Sequence, residues 1–154
     1  MNLEPRIKLT GKAIADLSSV YVDVGVKSDA WEILNIDIVG KVLKARLRMT
    51  SFFVSPTDPG GFHLTIFSTQ EILAQLANIY LHIAAGYKVK SKETWMRESA
   101  ITSRSVIRDS DNIMVEMDFI GLKRMGDSLV SMARCRVFDD QGGLFTARLK
   151  GLLR

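Results

Sequence analysis

The chain has 154 residues, of which 47% are hydrophobic and 25% are charged, and its formal net charge is +4. This length predicts one domain, residues 1–154, that is large enough to bury a core of its own. The single cysteine, Cys135, excludes a disulfide within the chain, and two histidines 19 residues apart make a zinc site improbable. The charge is too small and too dispersed to indicate nucleic-acid binding, although it suits smaller anionic partners.

The chain also lacks the marks of a secreted or membrane protein. Its first residues carry no apolar signal core, and no apolar run reaches the length of a membrane span. We therefore expect a cytoplasmic protein with no membrane span, no metal and no cofactor.

The first half of the chain shows the two-residue alternation of half-buried strands. Apolar residues alternate with other residues in Val20–Val26 and again in Leu43–Met49. These segments predict one or two hairpins, and a loop rich in Pro and Gly, Ser55–Gly61, comes after them.

A helix is predicted next, over about residues 68–86. Ser68 and Glu71 have the spacing of a capping box, and Gly86 occupies the place of a C-terminal glycine cap. The helix is apolar on almost every side, which predicts a buried position. One polar stripe interrupts the apolar surface, and it consists of Glu71, Gln75, Asn78 and His82. These side chains must form hydrogen bonds with other protein groups or with a substrate.

The last third of the chain returns to the strand period. Ile113–Phe119 and Ser131–Val137 alternate clearly, and turn sequences at residues 109–112, 125–127 and 139–143 separate the segments. This pattern predicts a meander of about four strands over residues 95–154. An antiparallel sheet wrapped around one long helix is the α+β hotdog fold, and another α+β roll with the same element order is the alternative.

The loop and the helix resemble the 3-hydroxyacyl carrier-protein dehydratases. The shared features are Phe52-Phe53, a Pro/Gly loop, and Glu71-Ile72-Leu73-Ala74-Gln75. Glu71 falls on the catalytic glutamate of that family, whereas Ser55-Pro56-Thr57 stands where the family has its catalytic His-Phe-Pro. The resemblance therefore implies a base at Glu71 and leaves the histidine to be supplied from elsewhere.

Residues 50–154 also resemble the hotdog long-chain fatty-acyl-CoA thioesterases. The family has a glycine loop before the helix, an early Glu with later Asn and Tyr on the helix, and a hairpin of the form F-x-D-x-x-G-G. The similar features here are Gly60-Gly61-Phe62-His63, Glu71, Asn78, Tyr80 and the slightly shorter hairpin Phe138–Gly143. This resemblance implies hydrolysis of an acyl thioester.

Three residues are candidates for catalysis. Glu71 is either a general base or the back-bonding half of the capping box. His63, in the loop before the helix, either replaces the missing dehydratase histidine or is a hydrogen-bonded loop residue. Asn78 either contacts a thioester, as Gln75 also could, or pairs with backbone at the sheet.

The remaining candidates concern substrate binding. Gly60 and Gly61 either offer backbone N–H groups as an oxyanion hole or form a plain turn. His82 is expected to line a tunnel or a dimer contact. Asp58 either forms a turn or takes part in catalysis. Core positions are expected for Tyr80 and Cys135. Outer strand faces are expected for Arg104, Arg108, Arg134 and Arg136, which are either solvated there or in contact with the phosphates of coenzyme A.

The best interpretation is an enzyme that hydrolyses fatty acyl thioesters of coenzyme A or of acyl carrier protein. The expected assembly is a homodimer or a dimer of dimers. The alternatives are a 3-hydroxyacyl thioester dehydratase or hydratase that uses Glu71 with His63, and a non-catalytic acyl-binding or dimerisation module.

Overall fold

The computed structural model describes residues 12, 16, 17 and 29–154. Residues 29–154 form, in chain order, β1 (Ala30–Val39), β2 (Val42–Ser51), α1 (Ile66–Ala84), β3 (Thr94–Ser105), β4 (Ile113–Met125), β5 (Ser128–Phe138) and β6 (Leu144–Leu153). The predicted strand at residues 20–26 lies outside the described residues. Among the helices that the structure describes, none is both long and apolar enough to span a membrane.

The six strands form one antiparallel sheet, and α1 packs against one face of it. The strands alternate as predicted, so that in β2 the inner residues Leu43, Ala45, Leu47 and Met49 are buried while the residues between them are exposed. The hydrophobic core lies between this inner face and the helix. This is the predicted α+β arrangement of one helix on an antiparallel sheet.

The order of the strands differs from the predicted meander. The sheet runs β1-β2-β4-β5-β6-β3, so that β4, β5 and β6 are consecutive neighbours but β3 pairs with β6 at the edge. Seven residues, 106–112, carry the chain from β3 to β4, and the backbone N–H of Leu64 donates to the carbonyl of Ile107 on the way. Alternation fixes which side chains face the core, but it does not fix which strand is the neighbour.

Strand β1 has no counterpart among the segments that alternate clearly in the sequence. Its pairing with β2 shifts register between Ile33 and Asn35, where the extra residue Leu34 interrupts the ladder. A bulge of this kind breaks the two-residue alternation of apolar and polar residues, and for this reason the alternation did not predict β1 as a strand.

The helix begins earlier than predicted, and the capping box is wrong. Thr65 is the N-cap, and its hydroxyl oxygen accepts a hydrogen bond from the backbone N–H of Ser68 at 3.1 Å. The hydroxyl of Ser68 instead donates to Asp29 at 2.6 Å. Threonine caps nearly as well as serine, and here the contact of Ser68 with Asp29 leaves the capping role to Thr65.

The C-terminal end agrees with the prediction. The helix ends at Ala84, and Gly86 follows with a φ of +85°, a conformation that favours glycine. The N–H of Gly86 donates to the carbonyl of Ile83 at 2.9 Å, and the N–H of Tyr87 donates to that of His82 at 2.8 Å. These two bonds form a Schellman motif, which satisfies carbonyls that the helix end would otherwise leave unpaired.

The helix is buried on one side only. Ile72, Leu73 and Leu76 are completely buried against the sheet, whereas Phe67 and Ile83 are 61% and 54% exposed. Complete burial of such an aliphatic side chain stabilises a fold by about 1.5–3 kcal/mol. The expectation of a helix enclosed all round is therefore corrected: part of its apolar surface stays open in the described chain.

The predicted core residues Tyr80 and Cys135 are both buried. The ring of Tyr80 stacks on that of Phe119 with 3.6 Å between the centroids, and its hydroxyl donates to the carbonyl of Gly40 at 3.4 Å. Cys135 lies on the inner face of β5 with the small residues Ser131 and Ala133, which allow the helix to approach. Burial raises the pKa of the Cys135 thiol to about 12, which makes it a poor nucleophile.

Candidate functional site

The predicted polar stripe of the helix lines a single cavity. Glu71, Gln75, Asn78 and His82 all contribute to its wall, and its volume is about 830 Å³. The rest of the wall beside the helix is mostly apolar, and the segment after the helix adds basic residues. The other lining residues are Trp31, Ala74, Ile79, Ile83, Tyr87, Lys88, Val89, Lys90, Glu93 and Thr94. The helical spacing thus brings four polar side chains to one apolar groove, as the sequence predicted.

Glu71 lies in the cavity and not at the helix cap. It is exposed and stands in the second turn of α1, and the first turn contains no acidic residue. A cap must bond the free N–H groups of the first turn, and the influence of the helix dipole fades beyond that turn. The capping interpretation of Glu71 is therefore wrong, and its carboxylate faces the groove.

Asn78 is held in place by a neighbouring strand. Its side-chain oxygen accepts a hydrogen bond from the hydroxyl of Thr94 at 2.7 Å. The expected alternative was a bond to backbone, and the partner is instead a side chain of β3. Within residues 29–154 its amide nitrogen has no hydrogen-bond partner, so the two N–H groups of that amide are available to a ligand.

His82 has a structural role in the wall of the cavity. It is 5% exposed, and its Nδ1 is 2.8 Å from the carbonyl oxygen of Asn78. Its Nε2 accepts long hydrogen bonds, 3.4 Å each, from the backbone N–H groups of Ser91 and Lys92. These contacts fit the neutral ring with its proton on Nδ1, and they fasten the segment after the helix to α1.

The loop before the helix is organised around the carboxylate of Asp58. One oxygen accepts a bond from His63 Nδ1 at 2.6 Å, and the other accepts one from the N–H of Gly60 at 3.0 Å. The guanidinium of Arg108 donates to both oxygens at 3.0 and 3.1 Å. Arg108 is thus a loop residue that faces inward, and the expected place on an outer strand face is wrong for it.

Gly60, Gly61 and His63 do not line the cavity of Glu71. The N–H groups of both glycines bond to Asp58, that of Gly61 to its carbonyl oxygen at 3.4 Å. A Cβ at Gly60 would lie 2.3 Å from Cζ of Arg108, so a glycine is needed there for the guanidinium to reach Asp58. This geometry favours the turn over the oxyanion hole as the role of the two glycines.

The hairpin that resembles F-x-D-x-x-G-G is also a structural device. Asp139 is 6% exposed, and its carboxylate accepts bonds from four backbone N–H groups, those of Arg108, Asp109, Gln141 and Gly143. Burial raises the pKa of Asp139, but these four donors outweigh it and the net pKa is lowered. Asp139 therefore positions the backbone of Arg108, which in turn holds Asp58.

The hydrogen bond from Arg108 is the main reason why the pKa of Asp58 falls from 3.8 to about 2. The ionised carboxylate of Asp58 therefore makes its full contribution to folding stability above pH 3.8, and this contribution is lost as the pH falls through about 2. We expect Asp58→Asn to lower the melting temperature at neutral pH. The difference in melting temperature between the wild type and the variant should become smaller as the pH falls from 3.8 to about 2.

Thermal melts over a pH series measure this gap. Asp111→Asn is the control, because Asp111 is an exposed carboxylate of another loop and should show a small gap at every pH. A gap for Asp58→Asn that stays constant down to pH 2 would contradict the role of the charge.

Sequence reasoning missed the residues that close the cavity after the helix. Lys88, Lys90 and Glu93 line it, and Lys90 forms an ion pair with Glu93 at 2.5 Å. The signal was present: basic residues recur at Lys88, Lys90 and Lys92 after a stretch without any, just behind the glycine cap. In the part of the chain that the structure describes, no group of three or more His, Cys, Asp or Glu is placed to hold a metal ion.

No protein-family model matches the chain, and no curated protein sequence is significantly similar to it. Solved structures are similar in fold. A variant of the thioesterase PA1618 from Pseudomonas aeruginosa is 16% identical with a TM-score of 0.55, and the match covers 81% of this chain and 80% of that one. The conserved protein PA5202 from the same organism is 10% identical with a TM-score of 0.55, with coverage of 90% and 96%.

A third similar structure was solved with coenzyme A. It is a hypothetical thioesterase protein from Streptococcus pneumoniae, 9% identical with a TM-score of 0.54 and coverage of 80% and 88%. At such identities the likeness concerns the fold. The chain has the hotdog fold, as its helix and strand pattern predicted.

Proposed function

We propose that this protein hydrolyses acyl thioesters, with Glu71 as the general base. The observation that carries the proposal is the cavity in which a carboxylate, two amides and an apolar wall lie along one face of α1. Glu71 would take a proton from a water molecule, which attacks the thioester carbonyl carbon. The tetrahedral intermediate would then collapse and break the C–S bond, and the leaving sulfur would take the proton back from Glu71, so that the thiol and the fatty acid are released.

The amides of the stripe would orient the reacting groups. The amide nitrogen of Asn78 supplies donors for the carbonyl oxygen as negative charge develops on it, and Thr94 fixes the amide by binding its oxygen. Gln75 lies one turn before Asn78 and is exposed in the same cavity, where it can hold the water against Glu71. Preorganised donors of this kind lower the barrier because they need not reorient during the reaction.

The walls of the cavity suit an acyl chain and a coenzyme A carrier. Ile79, Ile83 and Val89 offer apolar surface to the chain. Lys88 and Lys90 stand at the same cavity and would attract the phosphates of coenzyme A. The similar structure that was solved with coenzyme A supports this choice of carrier over a carrier protein.

The decisive experiment is a hydrolysis screen with acyl-CoA thioesters of several chain lengths, in which release of the free thiol is measured. We expect turnover with fatty acyl-CoA, and lower turnover with the same acyl groups on acyl carrier protein. Absence of turnover on every thioester would refute the enzyme proposal and favour the binding module.

One contact supports dehydration of 3-hydroxyacyl thioesters as a second candidate. The carboxylate of Asp58 accepts a bond from Nδ1 of His63 at 2.6 Å, an arrangement that fixes the tautomer and orientation of an acid/base histidine. The same screen includes a 3-hydroxyacyl-CoA, and formation of the enoyl product that His63→Gln abolishes would establish this candidate.

We further infer that the protein works as a homodimer through the edge strand β3. This strand has 12 residues, lies at the edge of the sheet and is exposed over most of its length. A long exposed edge has unpaired N–H and C=O groups that a second copy can satisfy. A partner there would also approach the open side of α1, since the cavity includes Thr94 at the start of β3.

Light scattering tests the dimer, and we expect twice the chain mass at micromolar concentration. Trp95→Glu on β3 should shift the mass toward the monomer, because Trp95 is 53% exposed on the proposed interface. Val39→Glu is the matched control, since Val39 is 72% exposed at the end of the opposite edge strand. A monomeric wild type, or dissociation by Val39→Glu alone, would contradict pairing through β3.

A further inference from the structure

Four arginines surround a depression on the outer face of the sheet, opposite the face that carries the helix. Its volume is about 630 Å³, and its walls include Arg104 of β3, Arg134 and Arg136 of β5, and Arg148 of β6. All four side chains are exposed. The residues between them are small, namely Ala100, Thr102 and Thr146. The sheet thus has a recess with a polar floor and positively charged walls.

The register places two of these positive charges directly opposite each other. Arg134 of β5 faces Arg148 of β6 across the ladder. Like charges in this position repel, and a protein normally relieves such repulsion with a carboxylate. Among the described residues no carboxylate forms an ion pair with Arg104, Arg134 or Arg148.

The nearest acidic side chains along the ladder are not part of the wall of the recess. Asp118 and Glu116 of β4 lie opposite Arg134 and Arg136, respectively, on the far side of β5. Glu116 pairs with Lys44 at 3.7 Å, and the guanidinium of Arg136 lies 5.1 Å from the ring centroid of Phe138. The recess therefore keeps an excess of positive charge.

The floor adds hydrogen-bond donors to this charge. Thr146 of β6 lies opposite Thr102 of β3 on one side and opposite Arg136 of β5 on the other. A hydroxyl donates one hydrogen bond, and a guanidinium donates up to five in a planar fork that matches phosphate oxygens. Donors of both kinds, with no acidic side chain in the wall, are the chemistry that recognises phosphate.

We propose that this recess binds a ligand with two or more linked phosphates, such as the phosphate chain of a nucleotide. The dimensions favour a chain of phosphates over a single one. The arginines occupy three neighbouring strands, which are about 4.8 Å apart, and rows two residues apart along a strand, which are about 6.6 Å apart. One phosphate can bind two facing guanidinium groups, but it cannot contact all four at once, because the set spans three strands, or about 9.6 Å. A second linked phosphate can bind the remaining groups.

This site is separate from the proposed catalytic cavity. The catalytic cavity lies beside α1, on the side of the sheet that carries the helix, and no residue lines both cavities. The proposal therefore stands whether or not the protein hydrolyses thioesters.

Isothermal titration of the full chain with inorganic pyrophosphate, ATP, coenzyme A and orthophosphate tests the proposal. We expect pyrophosphate to bind more tightly than orthophosphate, and its affinity to fall as the ionic strength rises. Equal affinity for pyrophosphate and ATP identifies the phosphate chain as the whole ligand. Tighter binding of ATP or of coenzyme A identifies the nucleotide source. Binding of coenzyme A without any binding of pyrophosphate or ATP would overturn the proposal.

Single variants localise the binding. Arg134→Gln and Arg148→Gln should each weaken pyrophosphate binding about tenfold, the usual effect of losing a charge-assisted hydrogen bond. Arg46→Gln is the matched control, because Arg46 is an exposed arginine on β2 and does not line the recess. Without ligand, Arg148→Gln should melt no lower than the wild type, since it removes a repulsion. Equal affinity in Arg148→Gln and the wild type, or a lower melting temperature, would overturn the proposal.

Discussion

Glu71→Gln should lower the turnover of acyl-CoA by roughly 10²–10⁴-fold, the usual contribution of a general base. Glutamine has nearly the same size as glutamate and keeps an acceptor oxygen, but it cannot take a proton from water. The melting temperature should change little, because Glu71 is exposed and does not cap the helix. Steady-state hydrolysis and a thermal melt on the same preparation measure both quantities.

The same cavity offers a matched control for this experiment. Glu93 also lines the cavity and also carries a carboxylate, but it belongs to the segment after the helix and not to the polar stripe of α1. Glu93→Gln should therefore retain most of the turnover. If Glu71→Gln is as active as the wild type, the base lies elsewhere, and the Asp58–His63 pair would be the next group to change.

Leu76→Asp should abolish soluble expression. Leu76 is completely buried between α1 and the sheet, and a carboxylate at this place would lose its hydration without gaining a partner. The penalty for an unpaired buried charge, together with the lost apolar contacts, exceeds about 5 kcal/mol, which is comparable to the whole stability of many domains. Yield in the soluble fraction and the far-ultraviolet circular dichroism spectrum are the measurements.

A control variant at the neighbouring residue separates the effect of burying a carboxylate from the effect of aspartate on helix propensity. Gln75→Asp places the same new side chain one position earlier, on the exposed side of the helix. This variant should express and fold, because its carboxylate stays in water and the propensity cost is a fraction of 1 kcal/mol. A Leu76→Asp protein that melts close to the wild type would refute the packing of this face.

Much of the fold could be predicted from local patterns. The helix, its end at Gly86 and strands β2, β4 and β5 follow from periodicity and turn residues, because these depend on neighbours along the chain. The start of the helix was misplaced by three residues, from Ser68 to Thr65, because both can cap and the choice depends on a contact with Asp29. The bulge at Leu34 and the pairing of β3 with β6 could not be predicted, since they depend on partners distant in sequence.

The candidate site divides in the same way. The common face of Glu71, Gln75, Asn78 and His82 followed from their spacing, because the helical repeat alone sets the direction of each side chain. The position of Gly60, Gly61 and His63 around Asp58, and not at the cavity, depends on the folded path of the loop. The fold also brings Arg108 to that carboxylate across 50 residues of chain, and it sets Arg134 opposite Arg148. Contacts of this kind depend on loop paths and strand register, which arise when the whole sheet closes on the helix and which no local pattern specifies.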